Sequence, residues 1–93
     1  MEFLTEVLLT VPPGTPDDEV ARRRAAEGAR ARELAGQGHL LRLWRPAEDG
    51  WRNIGLWSAS DEDELRALLG TLPLFDWMTV SIRRLRPHPS DPG

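Results

Sequence analysis

The stretch HLLRLWRPAEDGWRNIGLW, residues 39–57, decides the fold. It contains two apolar runs, at about residues 39–45 and 51–57, separated by the five residues Pro46-Ala47-Glu48-Asp49-Gly50. Proline, acidic residues and glycine between two apolar runs are typical of a turn, and a loop of this length suits an antiparallel hairpin. We therefore predict a β-hairpin at the centre of the chain.

A strand and a helix are predicted on each side of this hairpin. Before it, alternation of apolar residues predicts a strand, and a proline-glycine break then leads to a helix with Thr15 as its N-cap. After it, Ser60 is the expected N-cap of a second helix, which ends near a glycine and a proline, and a last strand follows. The predicted ranges of these four elements are 2–11, 16–35, about 61–70 and 76–85.

The resulting order, β-α-β-β-α-β, is that of a ferredoxin-like α+β domain. Such a domain has a four-stranded antiparallel sheet with two helices on one face. We predict one domain over residues 1–86 and an irregular proline-rich tail over residues 87–93. Because the strands carry large apolar groups on both faces, and the chain has four Trp, we also expect a second copy on the open face, in an assembly of the dimeric α+β barrel type.

The composition narrows the functional classes. The formal net charge is -3, which gives a nucleic-acid role little support, and the chain has no Cys, which excludes thiolate chemistry and Cys-type metal sites. With only His39 and His88 as imidazoles, far apart in the chain, we expect no metal centre, and a site made of carboxylate ligands stays the alternative. No apolar run is long enough for a membrane span and no signal peptide is visible, so we expect a cytoplasmic protein.

A carboxylate stands where the first helix should be apolar. At 100° per residue, Val20, Ala31 and Leu34 define the apolar stripe, and Glu27 falls near its centre with Arg24 on one flank. A partly desolvated carboxylate has a raised pKa and suits proton transfer near neutral pH. The pattern leaves two alternatives open, a structural ion pair or a side chain that turns out to solvent.

The first hairpin strand supplies further polar candidates. Strict alternation predicts His39, Leu41, Leu43 and Arg45 on one face, and Leu40, Arg42 and Trp44 on the other. A buried Arg in this strand needs a carboxylate partner, which is either a substrate acid or a residue such as Glu6. Twelve Arg and no Lys supply many bidentate carboxylate binders. No phosphate-binding loop, nucleophile elbow or His-Glu-x-x-His motif is present.

Three segments resemble the muconolactone isomerase family: ELAGQGHLLRLWR at residues 33–45, LPLFDWM at residues 72–78 and HPS at residues 88–90. With the element order and length, the resemblance covers nearly the whole chain. It implies a ferredoxin-like homo-oligomer, a dimer or larger ring, with active sites near subunit contacts. It also implies a cofactor-free and metal-free isomerase that converts muconolactone to 3-oxoadipate enol-lactone in the β-ketoadipate route of aromatic degradation.

The same resemblance suggests roles for individual residues. Glu27 is the expected proton shuttle, and Arg24, where the family can have lysine, is expected to act electrostatically because Arg does not deprotonate. The expected substrate-binding residues are Arg45, His39, Trp44 and Asn53. Three other functions stay open: a family member recruited as an isomerase or cyclase in a secondary-metabolite pathway, a non-catalytic small-molecule binding module, and a related monooxygenase, whose haem, if present, would need His39 or His88.

Overall fold

The chain folds into the six elements predicted from the sequence. The computed structural model describes residues 1–93. Its strands and helices are β1 (Glu2–Leu9), α1 (Asp17–Gly36), β2 (Leu40–Trp44), β3 (Arg52–Ser58), α2 (Glu62–Leu69) and β4 (Met78–Leu85). The strands form one antiparallel sheet in the order β2-β3-β1-β4. The prediction of a ferredoxin-like α+β fold is confirmed.

The core lies between the two helices and one face of the sheet, called here the inner face. In β1 the predicted alternation is confirmed, because Phe3, Thr5, Val7 and Leu9 are all buried. Both helices contribute to the same core cluster, α1 through Leu34 and α2 through two leucines. The helices therefore cover the inner face, and the opposite, outer face of the sheet carries no element of this chain.

Three strands are shorter than the sequence pattern suggested, β2 by one residue at each end and β1 and β4 by two residues each. β1 ends at Leu9, since Met78 at the start of β4 is its last partner on that side and the prolines that follow cannot donate ladder hydrogen bonds. Residues 75–77 form a 3₁₀ turn, so β4 begins at Met78 instead of Asp76. This turn belongs to the connection between α2 and β4.

Both predicted helix caps are wrong. The hydroxyl of Thr15 donates to the carbonyl of Pro12 at 2.7 Å and closes the preceding turn, which leaves Pro16 as the N-cap of α1 without a side-chain cap. In α2 the N-cap is Asp61, whose Oδ1 accepts a hydrogen bond from the backbone N–H of Glu64 at 2.8 Å. A carboxylate satisfies this free N–H and also complements the helix dipole, which gives Asp61 the advantage over Ser60.

A β-bulge changes the two faces of β2. Leu40 and Arg42, two positions apart, pair with consecutive residues of β3. The extra residue, Leu41, breaks the strict alternation predicted from the sequence, because a bulge places two residues opposite one. Leu40 and Leu43 consequently both line the cavity on the inner face, whereas Arg42 and Trp44 pair with outer-face residues of β3. None of the helices is both long and apolar enough to cross a membrane.

Candidate active site

A cavity of about 230 Å³ lies between α1 and the inner face of the sheet. Of the 16 residues that line it, 11 are hydrophobic. Its polar side chains are few and come from three elements: Arg24 and Glu27 of α1, Thr5 of β1, and Asn53 of β3. A concave apolar pocket with a few convergent polar groups is the usual form of a small-molecule site.

Glu27 is the only carboxylate on the wall of this cavity. Its side chain is half-buried, and its Oε1 accepts a hydrogen bond from the backbone N–H of Leu74 at 2.9 Å. Burial raises the pKa of Glu27 because it penalises the charged form, and the hydrogen bond from Leu74 partly opposes this shift. Glu27 takes part in none of the four ion pairs of the chain. Of the two structural alternatives, the ion pair is therefore absent, and the side chain is half-buried instead of turned out to solvent.

The backbone N–H of Leu74, which donates to Glu27, lies in the connection between α2 and β4. Helix α1 contacts the same connection at a second residue. Arg23, one turn before Glu27, pairs with Asp76 at 3.0 Å and places its guanidinium 4.5 Å from the ring centroid of Trp77. Trp77 is buried, so this contact is anchored in the core. The connection at residues 72–77, from which Leu72 and Leu74 line the cavity, is thus fixed to α1 by Arg23 and by Glu27.

Arg24 stands at the edge of the cavity. Its guanidinium carbon lies 5.0 Å from the ring centroid of Trp51, and Arg24 forms no ion pair. Arg24 and Trp51 also border a surface depression of about 310 Å³, together with Arg45, Gly50 and Arg52. Three arginines therefore border a depression that shares Arg24 and Trp51 with the cavity, and two of them, Arg24 and Arg45, were predicted as site residues.

Of the other predicted site residues, some lie at the cavity and some lie away from it. Asn53 lines the cavity. His39 lies near the opposite end of β2, where its Nδ1 is 2.9 Å from the carbonyl oxygen of Ser58, and does not line it. Trp44 stays 41% exposed and pairs in register with the outer-face residue Ile54. In a single chain, then, Glu27, Arg24 and Asn53 line the cavity, Arg45 meets Arg24 only at the adjoining depression, and His39 and Trp44 border neither.

Two polar contributions were missed from the sequence. Arg52 borders the depression, and its Nε donates to the carbonyl of Asp49 at 3.1 Å, within the turn that precedes β3. Thr5 contributes a buried hydroxyl to the cavity wall and accepts a hydrogen bond from the indole N–H of Trp57 at 3.1 Å. The available signal for Thr5 was a polar residue at the centre of an otherwise apolar alternation.

The arrangement favours proton transfer on a small anionic molecule. A half-buried carboxylate can accept and return a proton, an apolar wall excludes water, and arginines in the adjoining depression can bind an acidic group. No three His, Cys, Asp or Glu side chains come together in a set that could hold a metal ion.

Comparisons with known proteins agree with this description. A family model described as muconolactone delta-isomerase matches residues 1–91. The muconolactone delta-isomerase of Acinetobacter baylyi is 29% identical over 90 residues, which cover 97% of this chain and 93% of the relative. That of Cupriavidus pinatubonensis is 30% identical over 90 residues and 97% of both chains. A crystal structure of muconolactone isomerase matches with a TM-score of 0.88 and 25% identity, covering 100% of this chain and 96% of the other.

Proposed function

This chain belongs to the muconolactone delta-isomerase family and is an intramolecular isomerase, and from that premise we propose that it converts muconolactone to 3-oxoadipate enol-lactone. The reaction moves one proton within an unsaturated lactone that carries a carboxymethyl arm, as a step of the β-ketoadipate route. The observation that carries the proposal is Glu27, a half-buried carboxylate on the wall of a cavity whose lining is mainly apolar.

In the proposed reaction Glu27 acts first as base and then as acid. The carboxylate removes the proton from the ring carbon that bears the arm, and the electron pair left behind spreads through the ring to the lactone carbonyl oxygen. The protonated Glu27 then returns the proton to the carbon next to the carbonyl, so that the double bond has moved and no atom is gained or lost. Burial supports this role because it makes the carboxylate a stronger base than it is in water.

We assign the carboxymethyl arm of the substrate to Arg24 and Arg45, beside the cavity. Arg24 borders both the cavity and the adjoining depression, and it has no acidic partner in the chain. Arg45 borders the same depression. A guanidinium keeps its proton and binds a carboxylate through two parallel hydrogen bonds, so these residues hold and orient the substrate without exchanging protons. Asn53, on the cavity wall, is assigned to the lactone ring.

The outer face of the sheet supports a homo-oligomer as part of the same proposal. Leu4, Leu8, Ile54 and Leu56 are only half-buried there, and Trp44 is 41% exposed. A second copy would bury this apolar surface. Light scattering should give a mass above that of one chain, and Trp44→Glu should lower it. A monomeric wild-type protein would contradict this part of the proposal.

The isomerase reaction is tested by proton NMR of muconolactone incubated with the purified protein in heavy water. We expect enol-lactone signals to appear. Deuterium at the carbon next to the carbonyl then measures how far the acid form of Glu27 exchanges its proton with solvent before returning it. Glu27→Gln should abolish the reaction, because the amide cannot accept the proton. An unchanged spectrum with folded wild-type protein would exclude this substrate and favour a recruited isomerase with another one.

Glu33→Gln is the matched control for Glu27→Gln. Glu33 lies on the same helix, its side chain is 62% exposed, and its only ion pair, with Arg30, is long at 3.6 Å. We expect this variant to keep wild-type activity. If both variants kept it, the role of Glu27 would be excluded even though the isomerase activity stood.

A further inference from the structure

Thr5 is the only hydroxyl-bearing residue on the cavity wall. It is 1% exposed and lies on the inner face of β1 between Phe3 and Val7. Its Oγ1 accepts a hydrogen bond from Nε1 of Trp57 at 3.1 Å. The hydroxyl proton reaches one acceptor in the chain, the carbonyl of Gly55, at 3.5 Å. Since good O–H···O bonds measure about 2.5–3.0 Å, the hydroxyl of Thr5 donates only a weak hydrogen bond within the protein.

Gly55 keeps the space around this hydroxyl free. Gly55 pairs in register with Thr5 across β1 and β3. A Cβ at position 55 would lie 2.9 Å from Oγ1 of Thr5 and 2.7 Å from Nε1 of Trp57. Any larger residue would press on both partners of the hydrogen bond. The inner face of the sheet is therefore built so that an indole N–H can hold a hydroxyl against the cavity.

The position of this hydroxyl suits a charge that develops during proton transfer. Both side chains line the cavity, Glu27 from the helix layer and Thr5 from the sheet. A proton removed by Glu27 leaves negative charge on the lactone carbonyl oxygen of the substrate. A hydroxyl that accepts a hydrogen bond from an N–H becomes a better donor of its own proton. A donor that is already fixed in an apolar site needs little reorganisation when the charge develops.

We propose that the Thr5 hydroxyl, oriented by Trp57, donates a hydrogen bond to the enolate oxygen that forms on the bound lactone. Thr5 is then a catalytic residue and Trp57 a positioning residue. This assignment rests on the proposed function, because it requires an enolate-forming substrate. It adds an oxyanion donor to a mechanism in which Glu27 moves the proton and the arginines hold the carboxylate.

The first test compares Thr5→Val with Thr5→Ser. Valine keeps the shape and removes the hydroxyl, so we expect kcat to fall about 100-fold or more, the usual loss of one oxyanion donor, with a small change in KM. Serine keeps the hydroxyl and should restore most of that loss. Circular dichroism and thermal unfolding verify that both variants fold. A Thr5→Val enzyme that turns over at the wild-type rate would overturn the proposal and leave the role of Glu27 intact.

The second test does not depend on turnover of muconolactone. In the Glu27→Gln variant the side chain is uncharged, as Glu27 is after it has taken the proton, and 4-nitrophenol serves as a probe whose ionised form absorbs visibly. We expect this variant to bind the phenolate, and the added change Thr5→Val to weaken phenolate binding about tenfold or more, as the loss of a hydrogen bond to a charged group does. Equal affinities, or no bound phenolate in the Glu27→Gln variant, would overturn the assignment. Should muconolactone not react, this measurement still decides the role of Thr5 as an oxyanion donor.

Discussion

Glu27 and Leu74, 47 positions apart in the chain, are joined by a 2.9 Å hydrogen bond from the backbone N–H of Leu74 to the carboxylate. Because the bond favours the charged form while burial disfavours it, the two effects oppose each other at one group, and burial prevails. The pKa of Glu27 is therefore raised, but by less than burial alone would raise it, because the N–H of Leu74 stabilises the ionised carboxylate.

The raised pKa predicts where activity falls on the acid side. Only ionised Glu27 can remove the proton, so kcat should fall as pH drops through a pKa above the ordinary carboxyl value of 4.5. The profile of kcat should be measured, since it reports groups in the enzyme–substrate complex and not the titration of free substrate. An acid limb at or below the ordinary value would contradict the assignment of the base.

The same shift predicts how stability depends on pH. Because the folded-state pKa of Glu27 lies above its unfolded value, the native state binds more protons between the two, and Glu27 lowers stability as pH rises through that window. Glu27→Gln does not titrate, so its stability relative to wild type should increase across the window and stay constant above it. Urea unfolding of both proteins below and above the window measures this difference. A difference that is independent of pH would contradict the shift.

Removal of Arg24 should impair substrate binding more than chemistry. We expect Arg24→Gln to raise KM about 10- to 100-fold, the usual range for a hydrogen bond to a charged group. The effect should nearly disappear with the methyl ester of muconolactone, which lacks the negative charge. Arg22→Gln, at an exposed position on the same helix, is the control and should leave KM unchanged. A similar loss with acid and ester would show that Arg24 does not bind the carboxylate.

The contact at Gly55 predicts a large effect of one methyl group. In Gly55→Ala the new Cβ would lie 2.7 Å from Nε1 of Trp57, a side chain only 3% exposed, so the indole cannot move away. We expect a loss of about 1–3 kcal/mol in the free energy of unfolding, as for other overpacked cores. Gly36→Ala is the control: no atom lies within 4 Å of its Cβ, and alanine in a helix should stabilise by up to about 1 kcal/mol. Equal effects in urea unfolding would contradict the predicted clash.

Periodicity was sufficient to predict the fold and the position of Glu27. Alternation over β1 and the hairpin at residues 46–50 gave the element order, and the 100° spacing of a helix placed Glu27 toward the sheet. Periodicity carries no information about partners distant in sequence. The hydrogen bonds of Glu27 with Leu74 and of Trp57 with Thr5 join residues 47 and 52 positions apart, so they follow only from the packed structure.

The local errors have local physical reasons. The N-cap of a helix is the residue whose side-chain oxygen accepts from a free N–H of the first turn, and neighbouring residues compete for this position. In α2 Asp61 accepts this hydrogen bond, where Ser60 was expected. In β2 the composition does not show that one residue is extra, because Leu40, Leu41 and Leu43 are all suitable for an inner face. The bulge is defined only by pairing with β3, and this pairing decides that Trp44 belongs to the outer face of a single chain.

Leu41 marks a position where the gene could lose one codon without changing the chemistry of the enzyme. As the surplus residue of the bulge, it could be deleted while Leu40 and Leu43 stayed toward the cavity and Arg42 and Trp44 stayed on the other side. If the strand straightened with Leu41 retained, the residues after Leu40 would exchange faces, and Arg42 would point toward Glu27. The bulge thus makes the length of this strand independent of which of its side chains face Glu27.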